Sequence, residues 1–380
     1  MIYLNNASTT WPKPDSVINA VHNSLVRPPV NYGRTGISRG DKNIVNDCRA
    51  SISEFFNAGN DYNLVCTSGS TEALNLALKG IALSGRNVII TATEHNSVIR
   101  PLKSLEKSAG ISITIVPCSE TGYVSPKDIE SAITDKTALI CVNHCSNVTG
   151  TVQDIEAISL IAKSREIMFL VDGSQSAGVI EINLSVIQPD FFCFTGHKSL
   201  YGIQGTGGLI FKKEINLRPL KEGGTGTLSH ILEQPDIFPS KYESGTMNIP
   251  GIAALEAGIK WVKEIGITKI QEHKKMLIEK IINEIHGIPG LFLYYDNKKS
   301  CGAILSLNIK DIAPEEINYI LSNSFDISVR SGIHCAPLIH QYLGTQNYGT
   351  LRISPSFFTT DEEINKFVSS FKKIISNLNN

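Results

Sequence analysis

The chain has 380 residues, 42% of them apolar, and its 36 acidic and 35 basic side chains leave a formal net charge of -1. That length exceeds what one small core accommodates, so two domains are expected. The balanced charge offers no basic surface for nucleic acid, and no apolar run reaches membrane-spanning length; the N-terminus Met1-Ile2-Tyr3-Leu4-Asn5-Asn6 lacks the basic and apolar regions of a secretory leader, so a cytoplasmic location is expected.

From about residue 14 to 245, short apolar runs alternate with helical periods. Strands are predicted at 63–66, 87–91, 111–116, 138–143, 168–171, 191–194 and 208–211, with helices between many of them, as at 70–82, 97–108 and 155–164. This alternation predicts an α/β fold: a large three-layer domain around a mostly parallel sheet, assigned to residues 14–250. The rhythm then changes. Long helices are predicted at 252–265 and 268–285, broken at Gly266, followed by strands at 291–295 and 303–309 and a helix at 313–323. Thr360-Asp361-Glu362-Glu363 fits a capping box that opens a terminal helix. Residues 251–380, together with 1–13, are predicted to form a smaller α+β domain.

Eight cysteines in a chain of this size do not suggest a disulfide scaffold. Cys66, Cys141 and Cys193 fall inside strand runs and read as small core residues. Cys141, His144 and Cys145 lie close enough to raise a metal site. A strand over 139–143 separates such ligands onto opposite faces, and no second Cys/His pair completes the set, so no metal is expected.

Two charges carry the functional reading. Asp172 follows the apolar run 168–171, and Lys198 follows 191–194 in Phe194-Thr195-Gly196-His197-Lys198. Strand ends of an open parallel sheet share one rim, where ligands bind. A desolvated lysine forms Schiff bases with carbonyls, and an aspartate facing a pyridine nitrogen keeps the ring an electron sink. Pyridoxal phosphate is the simplest ligand that uses both; a buried structural ion pair is the alternative. The same rim collects other strand ends. Thr67-Ser68-Gly69-Ser70-Thr71-Glu72 enters a helix and reads either as a phosphate cradle or as an ordinary N-cap. His95, Asn147, Gln175 and His197 also follow strands, each with a structural alternative. Further on, Cys335 sits in Arg330-Ser331-Gly332-Ile333-His334-Cys335-Ala336-Pro337, which reads as an accessible loop whose cationic neighbours favour the reactive form of a thiol, with a cysteine packed in a turn as the structural alternative. Arg352, in a strand-like segment, is a natural fork for a carboxylate, with an ordinary surface arginine as the alternative.

At these residues the sequence resembles the class V family of fold-type-I pyridoxal-phosphate enzymes, and within it the cysteine desulfurase and selenocysteine lyase group. The resemblance spans nearly the whole chain, in order. It rests on Tyr3-Leu4-Asn5-Asn6-Ala7-Ser8-Thr9-Thr10, the Thr67–Asn75 segment, Asp172-Gly173-Ser174-Gln175, Gly196-His197-Lys198, Tyr242-Glu243-Ser244-Gly245-Thr246-Met247-Asn248, Arg330–Cys335 and Gly349–Ser354. The Arg-Ser-Gly-x-His-Cys form looks like the branch with a short cysteine loop, which typically hands sulfur to a dedicated acceptor protein. The resemblance implies pyridoxal 5'-phosphate bound to Lys198 as a Schiff base, with Lys198 also carrying the proton. It implies Asp172 on the pyridine nitrogen, Gln175 on the ring hydroxyl and His95 stacked on the ring. Ser70, Thr71, Thr195 and His197 would bind the phosphate, with Thr246 reaching across from the other subunit of a homodimer. Asn147 and Arg352 would hold the substrate carboxylate, and Cys335 would take sulfur from L-cysteine as a persulfide, releasing alanine. Three departures stand out: Asn5 where Asp is usual, Met247 where Pro is common, and one extra residue in His197-Lys198-Ser199-Leu200-Tyr201-Gly202. Selenocysteine as substrate, a transaminase of the same fold, and a catalytically weak sulfur-relay protein are the rival readings.

Overall fold

The computed structural model of the protein describes residues 1–26 and 43–378. After β1 (Ile2–Tyr3), α1 (Asp15–Val26) and α2 (Ile44–Phe55), the chain lays down β2 (Tyr62–Thr67), α3 (Ser70–Gly80), β3 (Asn87–Thr91), α4 (Asn96–Ala109) and β4 (Ser112–Val116). It continues with α5 (Pro126–Ser131), β5 (Thr137–Asn143), α6 (Ile155–Ser164), β6 (Met168–Asp172), α7 (Leu184–Ile187), β7 (Phe191–Thr195) and β8 (Gly207–Lys212). The seven strands β2 to β8 form one sheet in the order β2-β8-β7-β6-β5-β3-β4. Only β8 runs against its neighbours, pairing antiparallel with both β2 and β7.

The central strands β3, β5, β6 and β7 are mostly apolar because both faces are covered, whereas the edge strands β2 and β4 are partly exposed. Alternate residues divide between two cores. Ile89, Ile140, Val142, Phe169, Val171, Phe192 and Phe194 pack on one face, while Val88, Ile90, Leu139, Cys141, Leu170, Phe191 and Cys193 pack on the other. Truncating a buried ring such as Phe192 to Ala costs about 3–5 kcal/mol. All seven predicted strands are present, most with bounds moved by a residue. The prediction of a mostly parallel, three-layer α/β domain therefore holds.

Helix α8 (Ile249–Ile265) packs on α1 and α2, with Ile252, Leu255 and Ile259 in the first core. Gly266, at φ 90°, breaks it from α9 (Ile267–Ile285), as read from the sequence. Then come β9 (Leu291–Tyr294), β10 (Leu305–Ile309), α10 (Pro314–Phe325), β11 (Ile327–Ser328), β12 (Arg330–Gly332), α11 (Ile339–Tyr342), β13 (Thr350–Ile353) and α12 (Asp361–Leu378). An antiparallel sheet runs β12-β13-β10-β9, and β1 pairs with β11. Ile2 and Leu4 thereby join Leu277, Leu307, Leu351 and Phe367 in a separate core. The capping box forms on both sides: the Glu363 amide donates to Thr360 Oγ1 at 3.2 Å and the Thr360 amide to Glu363 at 2.9 Å.

Candidate active site

The carboxyl ends of all strands of the large sheet but β8 open on one edge. Asp172 closes β6 and Thr195 closes β7, while Ser70 starts α3 just beyond β2 and His95 precedes α4 just beyond β3. A cleft of about 320 Å³ lies on this edge. It is lined by Ser70, Thr71, His95, Asn147, Asp172, Gln175, Thr195, His197, Lys198 and Arg352, all singled out from sequence. The cleft also takes in Ala7, Ser8, Asn143, Ser174, Arg330 and His334. Its size is within the range of small-ligand sites.

Asp172 is buried at the floor, and its hydrogen bonds fall on one oxygen. Ser70 Oγ donates to Oδ1 at 3.2 Å, and the Ser174 amide donates at 3.0 Å along with the Ser174 hydroxyl. Oδ2 remains for a ligand. The Ser70 hydroxyl is thus spent on Asp172. The start of α3 has no side-chain cap, because Gly69 stands at its N-cap. The amides of its first turn therefore have no helical partner. The turn lies directly on β8: a Cβ on Gly207 would meet the Gly69 Cα at 2.7 Å. Thr71 Oγ1 is 2.8 Å from Ser97 Oγ, and Thr195 donates to the Thr206 carbonyl at 3.3 Å.

Burial pulls Lys198 down to about 8, against the upward pull of Asp172 and with a further downward push from Arg352 and Arg330. His95 and His197 are both lowered to about 4, chiefly by burial and then by Lys198, so both rings are neutral at pH 7. His95 Nδ1 accepts from the Ser97 amide at 3.1 Å, which puts its proton on Nε2. His197 Nδ1 is buried without a partner. Behind His95 lies Glu94, which sequence reasoning passed over. Fully buried, it is raised to about 8, chiefly by desolvation. Its Oε1 accepts from Thr91 at 2.6 Å and from the Asn143 amide at 2.9 Å, while Oε2 and Asn143 Oδ1 have no partner. A protonated Glu94 is the form that suits this site.

The opposite wall is cationic. Arg352 is 1% exposed, yet it meets no acid among the described residues. Its guanidinium donates to the Asn147 carbonyl at 2.8 Å, to Asn5 Oδ1 at 3.1 Å and to Ser8 Oγ at 3.0 Å. Burial, then Arg330, lower it to about 9. Asn5, a neutral amide, thus leaves the charge uncompensated. Asn147 donates to the His334 carbonyl at 2.6 Å, and its buried Oδ1 is unpartnered. Gln175 donates to the Ala7 carbonyl at 2.9 Å.

Two predicted residues lie outside this cleft. Cys335 is exposed on an adjoining groove that shares Thr71, His95 and Ser97 with it. Arg330 Nη2 donates to its Sγ at 3.6 Å. The expectation of two cationic neighbours needs correction. His334 turns inward with Nε2 3.0 Å from the Thr350 carbonyl, and burial holds it well below its ordinary value. Thr246 lines a second, smaller cleft that shares Ser68, Glu72 and Gly205 with the first. Tyr201 takes a left-handed conformation at φ 58°, buries its ring against Trp261, and accepts from the Phe357 amide at 3.2 Å. Of the cysteines weighed for metal, Cys141 is in the sheet core and Cys145 lies in an apolar cluster with Cys301 and Ala303.

The model of the aminotransferase class-V family matches residues 2–367. A probable cysteine desulfurase of Methanothermobacter thermautotrophicus is 35% identical over 98% of this chain and 94% of its own length. A cysteine desulfurase of Wigglesworthia glossinidia brevipalpis is 30% identical over 98% of this chain and 92% of its own. Among solved structures, the apo cysteine desulfurase of Thermococcus onnurineus superposes with a TM-score of 0.89 at 27% identity, covering 99% of this chain and 95% of that one.

Proposed function

The chain belongs to the aminotransferase class-V family, and from that membership we propose that it is a pyridoxal-phosphate-dependent cysteine desulfurase that moves the sulfur of L-cysteine onto Cys335. The observation that carries this reading is one cleft holding Lys198, Asp172 and an acid-free Arg352 together. The residues fit the cofactor. The uncapped start of α3 offers amides to a phosphate, the free oxygen of Asp172 suits a protonated ring nitrogen, and the unpartnered His197 Nδ1 awaits a partner. Thr71, Thr195 and His197 would hold the phosphate, Gln175 the ring hydroxyl, and the neutral His95 the ring face. When bound, pyridoxal phosphate supplies an aldehyde that condenses with amines and a ring that accepts electrons from the substrate α-carbon.

The chain supplies the rest. Arg352 and Asn147 bind the substrate carboxylate, and this fixes the α-carbon near Lys198. With its amine lowered to about 8, Lys198 Nζ takes the α-proton and returns it. The Cys335 thiolate attacks the substrate sulfur. A sulfur–sulfur bond forms as the carbon–sulfur bond breaks, the electron pair leaves with carbon, and a proton completes alanine. L-Cysteine and the Cys335 thiol thus become L-alanine and a Cys335 persulfide, with no outside oxidant. The groove beside the cleft supports this assignment, since it presents Cys335 to solvent where a thiol of an acceptor protein can collect the sulfur. We place Thr246 on the phosphate of the second protomer of a homodimer, and the protein in the cytoplasm.

The test is Cys335→Ala. The variant is expected to bind the cofactor with an unchanged visible spectrum and to lose alanine release from L-cysteine by about 10²-fold or more. Full desulfurase turnover by the variant refutes the nucleophile. Rates on selenocysteine measured beside those on cysteine decide which amino acid is preferred.

A further inference from the structure

Cys335 opens on a groove between two helices, and the groove has its own chemistry. One wall is a stripe of α3, Thr71, Asn75 and Lys79, spaced four residues apart on one face. The other is a stripe of α4 that includes Ser97, Arg100 and Ser104. Cys335 closes the end next to Thr71 and His95, and its carbonyl accepts from the Asn96 amide at 2.7 Å, which ties the cysteine loop to α4. The cavity is about 390 Å³.

The charge is one-sided. Lys79 and Arg100 are exposed in the groove, Arg330 reaches the sulfur at its end, and no carboxylate lines it. Neither Lys79 nor Arg100 joins an ion pair with another described residue, so both charges stay available to a ligand of opposite sign. His95, the remaining titratable group on the wall, is neutral. From Thr71 to Lys79 the stripe runs eight residues, or about 12 Å along the helix. That is the length of roughly four residues of extended chain.

We infer that this groove docks an extended acidic segment of the sulfur acceptor, with the acceptor thiol at Cys335 and a carboxylate about three residues away between Lys79 and Arg100. The inference rests on the persulfide reading and specifies its partner. In the transfer, the acceptor thiolate attacks the outer sulfur of the Cys335 persulfide. Its sulfur–sulfur bond breaks, a new one forms on the acceptor, and the Cys335 thiol is regenerated with no net oxidation. Lys79 and Arg100 take no part in releasing alanine; they choose who receives the sulfur.

Two measurements test this. The first needs no turnover. Holoenzyme is alkylated at low salt with iodoacetate, which is anionic, or with iodoacetamide, which is neutral, and modification is read at Cys335 by peptide mass. The iodoacetate/iodoacetamide rate ratio is expected to exceed that of free cysteine by about tenfold and to fall toward it in about 1 M salt. The double variant Lys79→Glu with Arg100→Glu should bring the ratio to or below that of free cysteine. A wild-type ratio equal to that of free cysteine, or one unchanged in the double variant, overturns the groove. The second measurement follows persulfide discharge to two synthetic peptides, Cys-Ala-Asp-Glu and Cys-Ala-Lys-Lys. The acidic peptide should accept sulfur about tenfold faster, and the preference should reverse in the double variant while alanine release without acceptor stays unchanged. Equal discharge to both peptides by an enzyme that forms the persulfide also sinks the inference. If no persulfide forms, the functional reading fails, and the alkylation ratio still decides the charge of the groove.

Discussion

The sheet side of the cleft and the side built by β12 and β13 treat charge in opposite ways. On the sheet side, charges are matched or removed. Asp172 and Lys198 share the cleft, His95 and His197 are held neutral, and Glu94 is desolvated into its protonated range. On the other side, Arg330 and Arg352 are cross-strand partners; Arg352 is answered only by neutral groups, and Arg330 by the Ser8 hydroxyl and the Cys335 sulfur. Like charges directly opposite on a sheet destabilise it. That cost persists because the neighbours of Arg352 are fixed by backbone far apart in sequence, the segment after β1 through Asn5 and the turn after β5 through Asn147. The difference shows how labour is divided. A charge-balanced floor suits a planar cofactor that stays, and an uncompensated cationic roof suits an anion that comes and goes.

The largest effect expected from breaking the floor is at Lys198. Replacing it with Ala removes the base from its place beside Asp172, and alanine release from L-cysteine should fall by about 10³-fold or more, within the range of positioned acid–base catalysis. Normal turnover by this variant would end the assignment of the floor. Breaking the roof should act differently. Arg352→Lys keeps a cation but loses the planar fork, so binding of the carboxylate should weaken by about 2 kcal/mol. The KM for L-cysteine then rises roughly 30-fold. A loss in kcat with unchanged KM would move Arg352 from holding substrate to supporting the floor.

Glu94 sharpens the contrast by pH. Its folded pKa is raised to about 8, above the ordinary carboxylate value, so the folded chain holds a proton that the unfolded chain has released. Stability is full below the ordinary value and is lost as pH climbs toward 8. Glu94→Gln mimics the protonated acid and does not titrate. The variant should therefore gain on the wild type by up to about 1.4 kcal/mol for each pH unit between 5 and 8. Thr91, the Asn143 amide, Asp172 and Cys141 are the groups that face this carboxyl. Urea unfolding of the chain at a series of pH values measures the gap, and a gap that does not widen with pH shows Glu94 to be ionised.

Much of the floor was legible because parallel strands impose a common edge. Once 168–171 and 191–194 are strands, Asp172 and Lys198 must share a rim, and His95 and Thr71 follow by the same argument. The roof was legible only in part. Arg352 was named for its chemistry, but Ser8 and Asn5, which hold it, lie 344 and 347 residues away. Glu94 was missed because a carboxylate beside a strand end reads as solvated, and only tertiary burial makes it acidic no longer. Cys335 sits on the adjoining groove in a turn where His334 and Cys335 both take left-handed backbone, φ 52° and 60°; histidine tolerates that region better than most residues, but the local sequence does not mark two such residues in succession. The inward turn of His334 has the same origin.

The smallest effect separates helix starts that stabilise from those that bind. At α12, Thr360 and Glu363 cap each other's amides, as the sequence pattern requires, so two of the donors at this start are satisfied within the chain. At α3, Gly69 offers no cap, and the amides of the first turn open on the cleft beside Thr71. The two starts differ in sequence by what precedes the first turn and in function by what that turn is free to do. Thr360→Ala should lower the stability of the chain by about 1 kcal/mol and leave both the KM for L-cysteine and the affinity for pyridoxal phosphate unchanged. Chemical unfolding and cofactor titration of the same variant read the two quantities side by side. A shift in cofactor affinity as large as the shift in stability means that α12 carries its cap through to the cleft, and that the stabilising and ligand-binding starts are not separate devices.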